Sequence, residues 1–255
     1  MISAVGTHRE RLPDPALRDH FDRVWFHAVP RGVDTVRIVP DGCVDLVWSN
    51  GQLCVAGPDR SARLESGLAG TAAVGLRFHP GAVAHWLTAT SDAFVDRRVP
   101  LENLWGRAAR ALAEQLAEAN HPAQCAAIVE RALVRRAAAR VLPDPWGRAV
   151  LRRIRERVGH SDIVASLRVD SDLSERTLLR RSRATFGYGP KFLHRVLRFQ
   201  GLLAALQHTR SPRLASLALA AGYADQAHLT RETVELCGFT PAALLRQFTR
   251  GPSLA

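Results

Sequence analysis

Arg176, Arg180 and Arg183 recur at spacings of four and three residues, so on a helix all three project from one face. An arginine fork donates two parallel hydrogen bonds to the O6 and N7 edge of guanine, and it suits a phosphate equally well. Arg231 follows Arg180 by 51 residues, and with Gln226, Ala227 and Thr230 it makes a second such face. Glutamine matches the edge of adenine, and the alanine methyl can meet the methyl of thymine. Leu179 lies near the first face and suits a thymine methyl too, whereas Leu178 and Leu229 fall on the opposite side and are expected to pack inward. Either Arg180 or Arg231 alone reads as a solvated surface charge. Their matched place in two copies points to duplex DNA.

A repeat positions these residues. Ser174-Glu-Arg-Thr-Leu-Leu-Arg180 is echoed by Asp225-Gln-Ala-His-Leu-Thr-Arg231, Gly187 by Gly238 and Pro190 by Pro241, always at an offset of 51. Ser174 and Asp225 are helix N-caps by type, and glycine before a Gly-x-x-Pro stop marks the helix end. Upstream of each cap lies a short apolar helix, Asp162–Leu167 or Leu214–Ala220, with a turn at 169–172 or at Gly222. Units at about 162–186 and 213–237 therefore read as two helix-turn-helix motifs. Pro190 to His208 reads as one connecting helix, whose 19 residues at ~1.5 Å each span about 28 Å. That approaches the ~34 Å turn of B-DNA, so two recognition helices can enter adjacent major grooves. Arg181, Lys191 and Arg195 are placed for phosphate contact, which sets register without reading sequence.

The segment from about Ala149 to Phe248 resembles the DNA-binding domain of the AraC/XylS family of transcriptional regulators. The resemblance rests on Leu-Ser-Glu-Arg-Thr-Leu (173–178), Phe-Gly-Tyr-Gly-Pro-Lys (186–191), Arg-Phe-Gln (198–200), Leu-Ala-Leu-Ala-Ala-Gly-Tyr-Ala-Asp-Gln-Ala-His-Leu-Thr-Arg (217–231) and Phe-Thr-Pro (239–241). It implies a bacterial DNA-binding regulator with RNA polymerase as partner. It also implicates Arg176 and Arg180 in the first motif, and Gln226, Ala227 and Arg231 in the second. Two positions depart from that family's pattern. Asp172 stands where the first turn usually has glycine, and Ser182 and Thr233 stand where an aromatic usually packs, which predicts a looser first motif.

Charge agrees with this division. Residues 146–255 carry 18 Arg and Lys against 8 Asp and Glu, while residues 1–145 carry 17 against 16. The basic excess thus sits on the repeat, as release of counterions from a phosphate backbone requires. The four cysteines show no C-x-x-C spacing, so neither a metal nor a disulfide framework is expected, and no cofactor is. No leader-like apolar stretch and no run of 18 apolar residues occurs. A cytoplasmic, nucleoid-associated protein without membrane contact is the expectation.

Residues 20–99 alternate short β-branched runs with turns at 30–33, 40–42, 49–51 and 57–59, a density that suggests a small barrel or sandwich. Helices follow at about 104–118 and 123–140, as a dimer interface or as a solvated hairpin on the β part. Leu142-Pro-Asp-Pro145 marks the boundary. The fold class is therefore α+β: a β-rich N-terminal domain with a helical hairpin over 1–143, then an all-α domain of two helix-turn-helix motifs joined by a long helix over 146–250. Pro-Asp-Gly-Cys-Val-Asp-Leu-Val-Trp (40–48), Ala-Gly-Pro-Asp (56–59) and Val-Gly-Leu-Arg-Phe-His-Pro-Gly-Ala (74–82) resemble a sensor-like domain found ahead of such DNA-binding domains. A small-molecule effector is implied by that architecture. Trp25, Asp45, Trp48, Arg77 and His79 are its candidate contacts, although both tryptophans equally suit a core and Arg77 with Asp45 a structural ion pair. No enzymatic activity is expected. The competing reading is a DNA-binding module fused to a cysteine-based DNA-repair or other enzymatic domain, which would need a zinc-bound thiolate.

Overall fold

Alternation in one strand organises the N-terminal half. In β2 (Phe21–Ala28), Val24 and Phe26 turn to one side while Trp25 and His27 turn to the other. A computed structural model describes residues 6–137, 141–157, 162–208 and 214–249. Around β2 it places β1 (Thr7–Arg11), β3 (Val36–Ile38), β4 (Asp45–Ser49), β5 (Gln52–Ala56), β6 (Arg63–Glu65), β7 (Ala72–Phe78) and β8 (Arg98–Pro100). Six of these form one antiparallel sheet in the order β1-β2-β7-β4-β5-β8, and β3 pairs with β6 as a separate ribbon. The described sheet is open at β1 and β8, with the ribbon across one face, rather than closed into a barrel. Asn50 and Gly51 turn β4 into β5 with φ of 49° and 73°, the backbone that a two-residue hairpin turn demands.

One sheet face, with Val24, Leu46, Trp48, Val55, Val74 and Leu76, packs on helices in a continuous core. These are α1 (Val83–Leu87), α2 (Glu102–Trp105), α3 (Arg107–Ala117) and α4 (Pro122–Ala137). The helix expected over 104–118 is divided, because Gly106 adopts φ 56°, ψ −131° and ends α2 while starting α3. The opposite face carries Trp25. A Cβ on Gly75 would lie 2.1–2.5 Å from the Trp25 indole, so the ring rests on bare backbone.

The C-terminal half holds α5 (Trp146–Glu156), α6 (Ile163–Ser171), α7 (Glu175–Phe186), α8 (Pro190–His208), α9 (Leu214–Ala220), α10 (Gln226–Cys237) and α11 (Pro241–Thr249). Leu193, Val196, Phe199, Leu202, Leu203 and Leu206 bury α8 in a second core, which takes in Val39 from the N-terminal half. Asp172 ends α6 at φ 52°, ψ 36°, the left-handed conformation that aspartate tolerates. The looseness expected at Ser182 and Thr233 is not seen. Both are fully buried, and their hydroxyls donate to the Tyr188 and Leu229 carbonyls at 2.8 and 2.7 Å.

Contacts join the two halves at both motifs. Ser91 Oγ donates to the Thr185 carbonyl at 2.9 Å, and the Tyr188 hydroxyl donates to the Asp59 carbonyl. Arg37 donates to the Cys237 carbonyl at 3.0 Å with its guanidinium 4.3 Å from the Phe239 ring, and Gln200 donates to the Pro40 carbonyl at 2.5 Å. Gly75→Ala is expected to lose about 1–3 kcal/mol of stability, because the new methyl drives Trp25 off its seat. Urea unfolding checks this; an unchanged midpoint would mean that the indole has free room to shift.

Candidate nucleic-acid interface and N-terminal cavity

The recognition helices are built alike. Ser174 Oγ accepts from the Thr177 amide at 3.2 Å at the start of α7, and Asp225 Oδ1 accepts from the His228 amide at 2.6 Å at the start of α10. Each cap fills one of the four amide donors that a helix start leaves open. Gly187 and Gly238 close the two helices at φ 80° and 75°. Between caps, Leu178 and Leu229 are buried, while Arg176, Leu179, Arg180, Arg183, Gln226, Ala227 and Arg231 are exposed. Thr230 is half-buried, with its hydroxyl donating to the Gln226 carbonyl at 2.8 Å.

Of the three residues expected at phosphates, only Lys191 stands exposed. Arg181 stacks 4.4 Å from the Trp146 ring and pairs with Asp144. Arg195 pairs with Glu232 at 3.1 Å and with Glu235.

The five candidate effector contacts do not converge. A cavity of about 430 Å³ lies between the sheet and the β3–β6 ribbon, and Trp25 and Asp45 line it with His27, Cys54, Asp59 and Arg98. Trp48 sits on the other sheet face in the core, one residue out of phase. Arg77 and His79 line a second cavity of about 490 Å³ against α5, together with Arg148, Arg152 and Arg155. Asp41 and Cys43 line both cavities, and Arg77, on the second, bonds across this boundary. Arg77 donates to Asp45 at 3.1 Å and to Asp41 at 2.6 Å, and the Trp25 indole also donates to Asp45 at 3.0 Å. Burial would push the Asp41 carboxyl up, but Arg77 outweighs it and holds it well below the carboxylate range. His27 and Arg98 escaped the sequence reading, which had no register to say which alternate residues share a face.

Among the described residues, no three His, Cys, Asp or Glu side chains converge as a metal site. The four cysteines are free, and burial pushes every one of the thiols up. None is thus primed as a thiolate nucleophile.

Residues 170–247 match a helix-turn-helix domain model, and residues 9–100 match a domain of unknown function, DUF6597. The C-terminal half carries an AraC-type helix-turn-helix domain. No curated protein matches the sequence. Among solved structures, ToxT from Vibrio cholerae aligns over 96% of this chain and 98% of its own, at 10% identity and a TM-score of 0.45. ToxT described as bound to an unsaturated fatty acid aligns over 96% and 95%, at 9% identity and 0.43.

Inside the AraC-type domain, one buried ion pair fixes the second recognition helix to α8. Arg198 Nη2 lies 2.5 Å from Glu232 Oε1, with Nε 3.2 Å from Oε2, and both side chains are buried. His228 Nε2 adds a contact to the same carboxylate at 3.2 Å, and the Arg198 guanidinium lies 4.8 Å from the Tyr223 ring. Burial alone would raise the Glu232 carboxyl, but Arg198 and then His228 lower it below its ordinary value of 4.5. A carboxyl depressed in the fold binds its proton more tightly when unfolded, so its contribution is intact above that ordinary value and disappears as pH falls through the folded one.

Arg198→Ala is therefore expected to cost about 1.5–3 kcal/mol, because it removes the main partner of a buried carboxylate and leaves it only Arg195 and His228. In denaturant titrations the stability gap between wild type and Glu232→Gln should close as pH falls from about 6 to about 3. A gap constant over that range would show that Glu232 contributes through packing alone.

Proposed function

We propose that this chain is a sequence-specific transcription regulator. Residues 146–250 act as its reading domain, with α7 and α10 in adjacent major grooves, and residues 1–143 sense a small molecule. One observation carries this reading: two capped helices, 51 residues apart, present exposed Arg, Gln and Ala side chains while Leu178 and Leu229 are buried. Arg176, Arg180 and Arg183 address guanine edges, with Leu179 against a thymine methyl. Gln226, Ala227, Thr230 and Arg231 address the second half-site. Lys191 meets phosphate, whereas Arg181 and Arg195 hold the helices in place.

The effector site is the 430 Å³ cavity beneath the ribbon. Its wall reaches the reading domain through Asp45, Arg77 and Asp41, since Asp41 lies in the 40–43 loop whose Pro40 carbonyl accepts from Gln200 on α8. RNA polymerase is the downstream partner, contacted for activation or excluded for repression. A homodimer is compatible with this scheme but not required by it, because one chain already carries two reading helices. A cysteine-based enzyme is disfavoured by the raised thiols.

Selection of bound duplexes from a random pool by the full-length protein tests the proposal. The expected product is a split motif with its halves about one helical turn apart. Arg231→Ala should relax discrimination in one half alone and cost about 1–3 kcal/mol against the preferred base. No enriched motif, with salt-sensitive binding that Arg231→Ala leaves untouched, would reduce the basic face to nonspecific attraction.

A further inference from the structure

The sheet-side cavity contains one anomaly. His27 is only 5% exposed and lines it, and neither ring nitrogen has a hydrogen-bond partner. Buried polar groups are nearly always paired, so a doubly unpaired imidazole in a cavity wall, its nitrogens covered as the ring stands, calls for a partner that a turn of the ring would bring within reach. The ionic groups around it make no such demand. Asp45 is bound by Trp25 and Arg77, and Asp41 by Arg77. Asp59 is paired with Arg98 at 2.9 Å, and Glu65 with Arg98 at 3.7 Å and Arg63 at 3.5 Å. Among the described lining residues, an incoming carboxylate would meet no unpaired cation, and an incoming ammonium no unpaired anion.

Burial, with His8 nearby, lowers the His27 pKa and keeps the ring neutral. A neutral imidazole offers one N–H and one lone pair, the complement of a hydroxyl or of a carbonyl. Trp25, Val29, Val36, Val47 and Leu68 supply apolar walls. The volume of about 430 Å³ falls in the range of small-molecule pockets.

We infer that this cavity binds an uncharged, largely apolar molecule carrying a hydroxyl or carbonyl, which His27 recognises. The inference rests on the effector reading above and adds the chemical class of the ligand. It makes His27 a specificity residue kept at the expense of stability, since the unfilled ring forfeits hydrogen bonds that water would give it.

Full-length protein and four probes with one apolar body test it: 4-phenylphenol, biphenyl, 4-phenylbenzoate and 4-phenylbenzylamine. Binding is read by calorimetry and melting temperature. The expected result is that 4-phenylphenol binds best and the acid and amine least. Ala73, which pairs with His27 across β2 and β7 and lines the cavity, gives the blocking variant Ala73→Leu, expected to abolish phenol binding. His27→Phe should weaken 4-phenylphenol to the level of biphenyl, a loss of about tenfold for one hydrogen bond. The same variant should raise the melting temperature of the ligand-free protein, because an orphaned polar ring has gone. A purely structural histidine would give a fall instead, which overturns the inference. If the acid or the amine binds best and Ala73→Leu blocks it, the cavity is the effector site and the ligand class is wrong. Binding of no probe, or binding that Ala73→Leu leaves unchanged, removes the cavity reading and this inference with it.

Discussion

The last carbonyls of a helix have no partner within it, and in this molecule donors for both recognition helices come from the other half of the chain. Ser91 serves Thr185 at the end of α7, and Arg37 serves Cys237 at the end of α10. Arg37 also brings positive charge to the negative end of the α10 dipole. The adjoining glycines make the fit possible. A Cβ on Gly187 would come within 2.6 Å of Pro58 and 2.8 Å of Val95, and one on Gly238 within 3.0 Å of Arg37. The N-terminal half thus holds the C-terminal end of each reading helix, while the capped N-termini, with their exposed side chains, lie at the opposite ends.

This arrangement explains why the reading half was legible in sequence and the rest was less so. Caps, C-terminal glycines and buried leucines are local signals, each within a few residues of what it controls, so α7 to α10 follow from spacing, whereas α6 runs on to Ser171 through most of the turn expected over 169–172. The connecting helix over Pro190–His208 occurs as expected. Links across the chain leave no such trace. Arg198 and Glu232 are 34 residues apart, Arg37 and Cys237 200. In the β half, β1 is exposed at every position and β8 is three residues ending in Pro100, so neither shows the alternation that marks a half-buried strand. Trp25 and Trp48 looked equivalent as residue types. Only the register, in which Trp25 faces Gly75 and Trp48 faces Val74, assigns them to opposite faces of the sheet.

Hydroxyls at Ser182 and Thr233 illustrate a second limit of pattern matching. Where the resembled family packs an aromatic, this chain bonds a buried hydroxyl to a backbone carbonyl. In the first motif that carbonyl belongs to Tyr188 in the 187–189 turn, and in the second to Leu229, one turn back in α10. The buried Arg198–Glu232 pair belongs to the same strategy. Ion pairing across helices is directional where apolar packing is not, and it fixes the rotation of α10 on α8, hence which of its residues face outward.

In the proposed scheme, coupling between ligand and DNA reduces to how the two halves are held together. A ligand shifts an equilibrium only by its differential affinity for the two states. Filling the cavity beneath the ribbon bears on Trp25 and on Asp45, and Asp45 shares Arg77 with Asp41. Strengthening either carboxylate's claim on that guanidinium changes the hold on the 40–43 loop, whose Pro40 carbonyl rests on Gln200 of α8. The ribbon strand β3 leads by the opposite route through Arg37 to the end of α10. One cavity therefore abuts two separate tethers of the second motif, one on its supporting helix and one on its reading helix. The first motif is tethered by Ser91 and Asp59, of which Asp59 also lines the cavity. If α7 and α10 read two half-sites as proposed, their spacing and relative tilt are what such tethers control, and those are the quantities that decide whether both helices fit two successive grooves at once.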